Sequence, residues 1–452
     1  MSTAKAPEWS PLPDTPRLHA SSRPCDSRLR GKRVAMVTFS HFPGDPRPRR
    51  AAEALAGAGM SVELICVPEH PNEAKREWIH GIDVRRVSVA RRRGSAVTYA
   101  VQYSAFLSLS AEILAARAIT RAYDLVYIHN MPDFLVLSAL LPKMLGAKVI
   151  LDLHDPMPEL MRTIFGLEPQ AFTVRLFKQL ERWSIALADS VVTVNRACGE
   201  LFTSRSCPPC KMNVVMNSPD ERVFPRCAPR RQAEQNKAPD RPFRIMYHGS
   251  IVERNGLDLA VEALAQVRKR VPGAELRIYG ARTSFLTRVE DLVRSKDLEE
   301  AVHYFGPKSL EELVPAIQEC DVGLIPNRRN VFTELNTPTR IFEYLALGTP
   351  VIAPRAPGIC DYFDDSSMVF FELGNAQDLA QKIEYVFDHP AEVLDVVKRG
   401  QLVQHLHDWS TERRRLIGLV ARTICKDGIS GELVSSEPDT TDKESVANLK
   451  RV

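Results

Sequence analysis

The sequence predicts an α/β protein built from two successive domains with parallel sheets and a cleft between them. Short apolar runs rich in β-branched residues alternate with helix-like segments through both halves of the chain, which is the pattern of βαβ units. Residues 220–242 interrupt this alternation with four prolines and many charged side chains, as an interdomain linker would. A chain of 452 residues is long enough for two domains of ordinary size.

The first half of the chain begins with one complete βαβ unit. Residues 33–39 form an apolar run, Pro43 and Gly44 mark a turn, residues 49–58 have helical periodicity, and residues 61–67 form the next strand. Further strands are predicted at 125–128, 149–153 and 190–194.

The second half repeats this design. Strands are predicted at 244–247, 275–279, 302–305, 322–325, 351–353 and 368–371. Neither half has a GxGxxG motif after its first strand, and the sequence has no P-loop, which disfavours a dinucleotide oxidoreductase. Because open parallel sheets bind ligands beyond the carboxyl ends of their strands, we expect the site in the cleft.

The composition of each segment predicts the domain boundaries. The two ends are polar and lack apolar periodicity, so we expect them to be disordered tails. The predicted segments are a tail at 1–29, a Rossmann-like domain at 30–219, the linker at 220–242, a second Rossmann-like domain at 243–407, a helix bracing the first domain at 408–425, and a tail at 426–452.

The bulk composition narrows the class of protein. Apolar residues make up 44% of the chain and charged residues 26%, and the net charge is only +4, so we expect a globular protein without a nucleic-acid partner. We find no signal peptide and no long apolar span, which predicts a cytoplasmic protein. The nine cysteines fit reduced thiols; the pair Cys207 and Cys210 leaves incidental, redox and metal-binding roles open.

A helix predicted near residue 337 carries the most chemical information. Thr337 is suited to cap its N-terminus, with Pro338 as the first helical residue. The backbone N–H groups of Thr339 and Arg340 would then point outward at the positive end of the helix dipole. This arrangement predicts an anion site.

Further side chains extend this anion site toward a nucleotide. Arg340 can add a guanidinium to a bound phosphate, and Glu343 on the same helical face can accept ribose hydroxyls. The alternative for these two is an ordinary surface Arg–Glu pair. Gly249 follows the first strand of the same domain and permits close approach of a ligand. Arg254, just before the next helix, is a second candidate for the phosphates.

These motifs, in this order, resemble one known family. The stretches YHGSIVERNGLDLAVEAL, LRIYG, HYFGPKSLEEL, CDVGLIPN and TPTRIFEYLALGTPVIAP resemble the donor domain of GT-B glycosyltransferases of the retaining family 4, also called group 1. GDPRPRRAAEALAGAGMSVELICV, IHNMPDF and VILDLHDPMPEL resemble its acceptor domain. The resemblance covers residues 32–424 and implies the GT-B fold, two Rossmann-like domains facing a cleft.

The resemblance assigns roles to individual residues. It implies that Glu343 binds the donor ribose, that Arg340 stands where the family has lysine, and that His154 contacts the donor sugar. The implied catalytic residues are His154, Arg254 and Arg340. The implied donor-binding residues are Gly249, Ser250, Thr337, Pro338, Thr339 and Glu343. The loop candidates for acceptor or phosphate contact are Gly44, Asp45 and Arg47.

Two positions depart from the family pattern. The first glutamate of its Glu-x7-Glu motif would fall on Leu335, with Glu334 one residue early, and its arginine after the strand-end glycine is Ser250. We interpret both as altered sugar contacts, with Arg254 restoring the charge. They also motivate a second hypothesis, a catalytically degenerate scaffold or regulatory protein.

The resemblance implies an enzyme that transfers a sugar from a nucleotide sugar, with retention and without a metal or other cofactor. The acceptor would be a glycan or a lipid-linked acceptor in polysaccharide or glycoconjugate synthesis. A nucleotide-sugar epimerase on the same scaffold is the other enzymatic alternative. The basic stretch 85–93 followed by the apolar-rich stretch 99–122 predicts either a surface for peripheral membrane contact or an internally packed helix.

Overall fold

The computed structural model describes residues 27–89, 96–229 and 241–425 and contains two parallel sheets. The larger sheet and its helices are called here the N-terminal unit, and the smaller sheet with its helices the C-terminal unit. This architecture confirms the predicted α/β class.

The sheet of the N-terminal unit has eight strands in the order β3-β4-β2-β1-β5-β6-β7-β8. All neighbours are parallel except β3 and β4, which pair antiparallel. The strands are β1 (Arg33–His41), β2 (Ser61–Val67), β3 (Arg76–Ile79), β4 (Ile82–Arg86), β5 (Leu125–His129), β6 (Lys148–Leu153), β7 (Ser190–Thr193) and β8 (Met212–Val214).

The sheet of the C-terminal unit has six parallel strands in the order β11-β10-β9-β12-β13-β14. Its first strand, β9, lies inside the sheet, and the direction in which successive strands are added reverses beside it, which makes a topological switch point. The strands are β9 (Phe243–His248), β10 (Ala274–Tyr279), β11 (Val302–Gly306), β12 (Val322–Leu324), β13 (Val351–Pro354) and β14 (Val369–Phe371).

Helices connect the parallel strands and cover both faces of the sheets. They are α1 (Pro46–Gly57), α2 (Ala96–Thr120), α3 (Leu140–Met144), α4 (Met157–Phe165), α5 (Phe172–Leu187), α6 (Arg196–Arg205), α7 (Leu257–Val267), α8 (Ser284–Ser295), α9 (Leu310–Gln318), α10 (Thr339–Ala346), α11 (Pro357–Cys360), α12 (Ala376–Asp388), α13 (Pro390–Leu406) and α14 (Trp409–Ile424). Short 3₁₀ turns occupy Ser27–Leu29, Asp133–Ala139, Pro209–Lys211 and Glu253–Asn255.

Alternation along β1 shows how the N-terminal sheet is buried. Ala35 and Val37 belong to one apolar cluster, and Val34 and Met36 belong to a second cluster on the opposite face. Successive side chains of a strand point to opposite faces, so a strand covered on both sides reads as a continuous apolar run. This is why the strand could be predicted from its composition.

Every strand expected from the sequence is present, but three strands were not predicted. These are β3, β4 and β8. β3 is an exposed edge strand, and β8 has only three residues, so neither produces the apolar run that identifies a buried strand.

The N-terminal boundary needs correction. The predicted tail at 1–29 is wrong for its last residues, because Ser27–Leu29 form a 3₁₀ turn and Leu29 is fully buried against the cluster that contains Met36. Residues 1–26 of that tail, and the predicted tail at 426–452, lie outside the described residues.

The segment that joins the units is packed where the structure describes it. Within the predicted linker, Phe224 is buried in the C-terminal core and the Cys227 N–H donates to the Ala346 carbonyl (2.7 Å). Residues 230–240 lie outside the described part. After the C-terminal unit the chain crosses back, and Leu416 and Val420 of α14 pack into the N-terminal core. No helix in the described ranges is long and apolar enough to cross a membrane.

Candidate functional site

The carboxyl end of β9 meets the N-terminus of α10, and a glycine allows this contact. Gly249 has φ +117°, and a Cβ atom there would lie 3.2 Å from Cδ of Arg340. Its backbone conformation and its neighbour therefore both disfavour a side chain. The sequence predicted close approach of a ligand at Gly249; the group that approaches it in the structure is the Arg340 side chain.

Arg340 lies across the end of β9. Its Nη1 donates to the carbonyl of His248 (2.5 Å), and its guanidinium carbon lies 4.9 Å from the centre of the Tyr247 ring. Both contacts hold the guanidinium beside Gly249 and the start of α10. Arginine has five N–H donors, so one bond to a carbonyl leaves it able to bind an anion.

The start of α10 differs from the prediction. The helix begins at Thr339, its N-cap is Pro338, and no side chain from the described part of the chain caps it. Thr337 is not the cap, because its hydroxyl donates to the Gly358 carbonyl and accepts from the Asn195 amide (2.9 Å). The predicted outward-pointing N–H groups at the helix start are thus not covered by a capping side chain.

Glu343 has a buried partner that sequence reasoning missed. Its Oε2 accepts from Nε2 of His248 (2.7 Å), and Nδ1 of the same imidazole lies 2.8 Å from the Tyr344 hydroxyl. His248 is 3% exposed. The imidazole thereby orients the carboxylate toward the cleft end of β9. A histidine at the strand end, directly before Gly249, was the available signal.

Arg254 and Ser250 lie on the loop between β9 and α7. The Arg254 guanidinium stacks over the Phe332 ring, 5.6 Å from its centre. The Ser250 carbonyl accepts from the Tyr247 hydroxyl (2.7 Å) and from the Asn255 amide (2.8 Å), and its side chain is exposed. The loop is therefore held by its own hydrogen bonds on one side of α10.

The position of Leu335 gives a physical reason for its departure from the family pattern. The Leu335 side chain packs against the apolar core of the N-terminal unit, and its carbonyl accepts from the Asn195 amide (2.7 Å). A glutamate there would lose its solvation in this apolar contact. Glu334, one residue earlier, lies 3.8 Å from Arg329.

Asn195 also connects the two predicted halves of the site. It follows β7, whose residue Thr193 pairs with Leu153 of β6 and donates to the Leu153 carbonyl (2.8 Å). His154 comes directly after Leu153 in the sequence. Asn195, at the end of the strand next to the one that precedes His154, therefore joins the N-terminal unit to the segment before α10.

His154 is positioned by an asparagine that was not predicted. The His154 N–H donates to Oδ1 of Asn130 (3.2 Å), while Nδ2 of Asn130 donates to the Asp155 carbonyl (2.7 Å) and to Oδ1 of Asp133 (2.9 Å). Asn130 is 3% exposed. One amide thus fixes two successive backbone positions of the histidine loop.

Arg47, predicted to face the cleft, is instead buried in an ion pair. Its Nε and Nη2 donate to the Asp152 carboxylate (2.8 to 3.0 Å), and Nη1 donates to the Val215 carbonyl. Tyr127 also donates to Asp152 (3.1 Å). Burial alone would raise the pKa of the Asp152 carboxyl, but Arg47 holds it well below its usual range. Arg47 was predicted to contact the acceptor or the phosphates, but in the structure its side chain pairs with a buried carboxylate and has a structural role.

The other two loop candidates have different surroundings. Asp45 caps α1 by accepting from the Arg47 N–H (3.3 Å), a normal helix start. Gly44 is exposed, and a Cβ atom there would meet the Glu69 carboxylate at an ordinary distance of 3.8 Å. Neither residue is placed against α10 by these contacts.

His129, Asp152 and His154 bring three potential metal ligands within 4.8 Å of one another. This cluster was not apparent from the sequence. Burial lowers the pKa of His129 in spite of the nearby Asp152. The Asp152 carboxylate already accepts from Arg47 and Tyr127, and a cation bound there would lie beside the Arg47 charge.

The cysteine pair has no feature of a reactive dithiol. Cys207 is buried and Cys210 is exposed, and both are free thiols. Burial raises the pKa of the Cys207 thiol to about 11. A reactive or metal-binding thiol needs a depressed pKa.

Asp133 makes stability depend on pH. It is fully buried, and Oδ2 has no hydrogen-bond partner in the described ranges. Burial, with the charge of Glu181, raises its pKa to about 7 from 3.8. The native state then keeps a proton that the unfolded chain releases, so this group lowers the free energy of unfolding as pH rises between those values, by up to roughly 1.4 kcal/mol per pH unit.

Asp133→Asn is therefore expected to remove this contribution. In urea unfolding, the stability of the variant relative to the unmodified chain should rise between pH 5 and pH 8. The exposed Asp291→Asn serves as the control and should show no such change. A difference between Asp133→Asn and the unmodified chain that is constant with pH would contradict the assigned pKa shift.

Comparison with known proteins relates both halves of the chain to glycosyltransferases. The chain matches the family "Glycosyl transferases group 1" over residues 230–402 and the "Glycosyl transferase 4-like domain" over residues 45–218. The amylovoran biosynthesis glycosyltransferase AmsK of Erwinia amylovora is 24% identical over 209 residues, which cover 46% of this chain and 49% of the relative. The chain spans about half the length of the first curated relatives it matches.

Solved structures share the fold across both units. The sucrose-phosphate synthase of Thermosynechococcus elongatus superposes with a TM-score of 0.71 at 19% identity, covering 88% of this chain and 100% of that one. The Anabaena protein HepE in complex with UDP-glucose gives 0.61 at 15% identity, covering 86% and 99%. Matches in both units, with the GT-B arrangement, show that this chain belongs to the group 1 family of GT-B glycosyltransferases.

Proposed function

We propose that this chain transfers a sugar from a nucleotide sugar to a glycan or lipid-linked acceptor, with retention of configuration. The observation that carries the proposal is the meeting of Arg340, the Glu343–His248 pair and the uncapped start of α10 at the Gly249 end of β9. A cation and a helix N-terminus can together bind a diphosphate, and a carboxylate can accept hydrogen bonds from ribose hydroxyls.

In this proposal the diphosphate lies against the start of α10. Backbone N–H groups of Thr339 and Arg340, with the guanidinium of Arg340, would face its negative charge. Glu343 would accept the hydroxyls of the ribose while His248 holds the carboxylate in place. The HepE structure in complex with UDP-glucose, on the same fold, supports a nucleotide sugar as the donor.

The reaction would break the bond between the anomeric carbon and the diphosphate oxygen and form a bond to the acceptor oxygen on the same face. Negative charge grows on the departing phosphate, and groups already in position to stabilise it need no rearrangement. The acceptor proton would pass to the departing phosphate. His154, oriented through Asn130, would position the donor sugar, and Arg254 would add a second cation.

We propose that this transfer uses no metal or other cofactor. The His129, Asp152 and His154 cluster is the candidate that would argue otherwise, but the Arg47 charge already balances the Asp152 carboxylate. Retention and metal independence both follow from the resemblance to family 4, and the charge arrangement is compatible with them. The lipid-linked form of the acceptor would bring the chain into peripheral contact with a membrane.

Donor binding is tested by thermal unfolding with UDP-, GDP- and ADP-sugars. We expect one nucleotide class to raise the melting temperature, because a ligand that binds only the native state stabilises it. Glu343→Ala should lose the shift, because the ribose loses its acceptor. The exposed Glu299→Ala in the same unit is the matched control and should keep it.

Product analysis separates the enzymatic alternatives. A transferase releases nucleoside diphosphate and a glycosylated acceptor, whereas an epimerase changes the sugar configuration. A scaffold protein, which Leu335 and Ser250 motivated, would neither bind nor hydrolyse any of the nucleotide sugars. Finding no binding and no turnover would refute the proposed transfer.

A further inference from the structure

The basic stretch predicted to contact lipid does not present free charge where the structure describes it. Arg85 pairs with Glu63, and Arg86 pairs with Glu73 (2.7 Å) and Glu77 (2.9 Å). Residues 90–95 lie outside the described part. The expected membrane surface at 85–93 is therefore corrected for its first two arginines, whose charges are balanced by carboxylates.

A different surface of the N-terminal unit is unusually apolar. Helices α2 and α5 and the 3₁₀ turn before α3 bury one side each against the same face of the sheet, through Phe106, Ile185 and Leu135. Contacts between neighbouring helices make α2, α3, α5 and α4 one continuous layer. The large apolar side chains that these helices expose include Met144, Ile164, Phe165, Phe172, Leu176 and Trp183.

This apolar layer has no counterpart elsewhere in the described residues. The C-terminal unit exposes only three large apolar side chains there, Phe305, Phe387 and Leu402. Helices α1 and α14, on the opposite face of the N-terminal sheet, expose none. Contiguous exposed apolar surface on a folded chain usually marks an interaction site.

Helix α5 combines this apolar surface with positive charge. Phe172 (76% exposed), Leu176 and Trp183 (59%) lie on one helical face, because their spacing is four and eleven residues. Arg175 and Arg182, seven residues apart, lie beside this apolar face, about 60–80° around the helix from Phe172, and are exposed. The one acidic residue of this helix, Glu181, is buried and paired with Arg205.

The layer is also close to the proposed site. α4 begins three residues after His154 and ends at the exposed Ile164 and Phe165. A helix of nine residues is about 13 Å long, so the apolar surface starts within one short helix of the sugar-binding loop. An acceptor held in a bilayer could reach the cleft over that distance.

We propose that the outward side of α3, α4 and α5 docks on an anionic lipid bilayer. Exposed Trp, Phe, Leu and Met side chains with arginines, and without exposed acid on α5, match the apolar interior and the negative headgroups of such a surface. The proposal thus names the residues that would contact the membrane. It rests on the proposed function only where it takes the acceptor to be lipid-linked.

Vesicle binding tests this directly, without donor or acceptor. The full chain is sedimented with phosphatidylcholine vesicles, alone or mixed with phosphatidylglycerol, at low and high salt. We expect binding to the mixed vesicles that weakens with salt, because surface charges are screened. Arg175→Glu should weaken it roughly tenfold or more, while Arg294→Glu on the C-terminal unit should have little effect.

The apolar contribution has a matched tryptophan control. Trp183→Ser should lower vesicle binding, whereas Trp78→Ser should not, although Trp78 is 65% exposed on the edge strand β3. Melting temperatures verify that both variants fold. If Trp183→Ser does not fold, quenching of tryptophan fluorescence by brominated lipid replaces it. The lipid should quench the unmodified chain and the Trp78→Phe variant to the same extent, because Trp78 lies away from the bilayer.

Three results would overturn the lipid assignment. The first is no binding to anionic vesicles at low salt, and the second is an equal loss of vesicle binding in Trp183→Ser and Trp78→Ser. The third is a chain that does not bind vesicles but self-associates in ultracentrifugation, with the self-association abolished by Phe172→Ser. The last would assign the face to a second copy of the chain. Because nucleotide-sugar binding is measured separately, failure here leaves the proposed transfer intact.

Discussion

Replacement of Arg340 by alanine is expected to lower kcat by about 10²–10³, the usual effect of removing one group that stabilises developing charge. Arg340 is held beside Gly249 by the His248 carbonyl and the Tyr247 ring, so its guanidinium is in place before the bond to the phosphate breaks. The loss should appear in kcat more than in KM, because the charge on the leaving phosphate is largest in the transition state. Steady-state kinetics with the donor found by thermal unfolding measure it.

Two further variants sharpen the assignment of Arg340. Arg340→Lys keeps the charge but not the planar fork, so it should fall between the alanine variant and the unmodified chain. Arg294→Ala removes an exposed arginine from α8 and should leave kcat unchanged. An Arg340→Ala variant with kcat within about twofold of the control would exclude Arg340 from the stabilisation of the leaving group.

Arg47→Ala is expected to lower the free energy of unfolding by about 3–5 kcal/mol, without any contact to the donor. The Asp152 carboxylate is 1% exposed and accepts most of its hydrogen bonds from this guanidinium. Removing the cation leaves a buried negative charge in contact with the Tyr127 hydroxyl and, at 3.3 Å, with the His129 imidazole. Urea unfolding monitored by circular dichroism gives the difference.

The pH dependence of the Arg47→Ala variant identifies the cause. Without its cation, the pKa of Asp152 should rise in the native state, so the variant should lose more stability at pH 8 than at pH 5. Arg294→Ala, whose exposed pair with Asp291 contributes little, should change stability by less than about 1 kcal/mol. A loss for Arg47→Ala that is equally small would show that the ion pair is not needed for stability.

Local patterns in the sequence determined much of this protein. The apolar runs of the buried strands and the helical spacing between them predicted both sheets, because a strand covered on both faces requires apolar residues throughout. The roles proposed for Arg340 and Glu343 were also accessible, since both lie within one turn of a helix whose start is marked by proline. Gly249 was identified because a turn after a strand requires its backbone freedom.

Only the tertiary structure decided which distant groups meet. Arg47 and Asp152 are 105 residues apart and His248 and Glu343 are 95 apart, so no periodicity relates them. Thr337 has the right residue type for a cap, but it binds across the cleft to Asn195 instead. The apolar outer side of α5 is likewise visible only once packing has shown which side of the helix is buried. Local sequence sets the elements, whereas burial and hydrogen-bond partners depend on contacts between segments far apart in the chain.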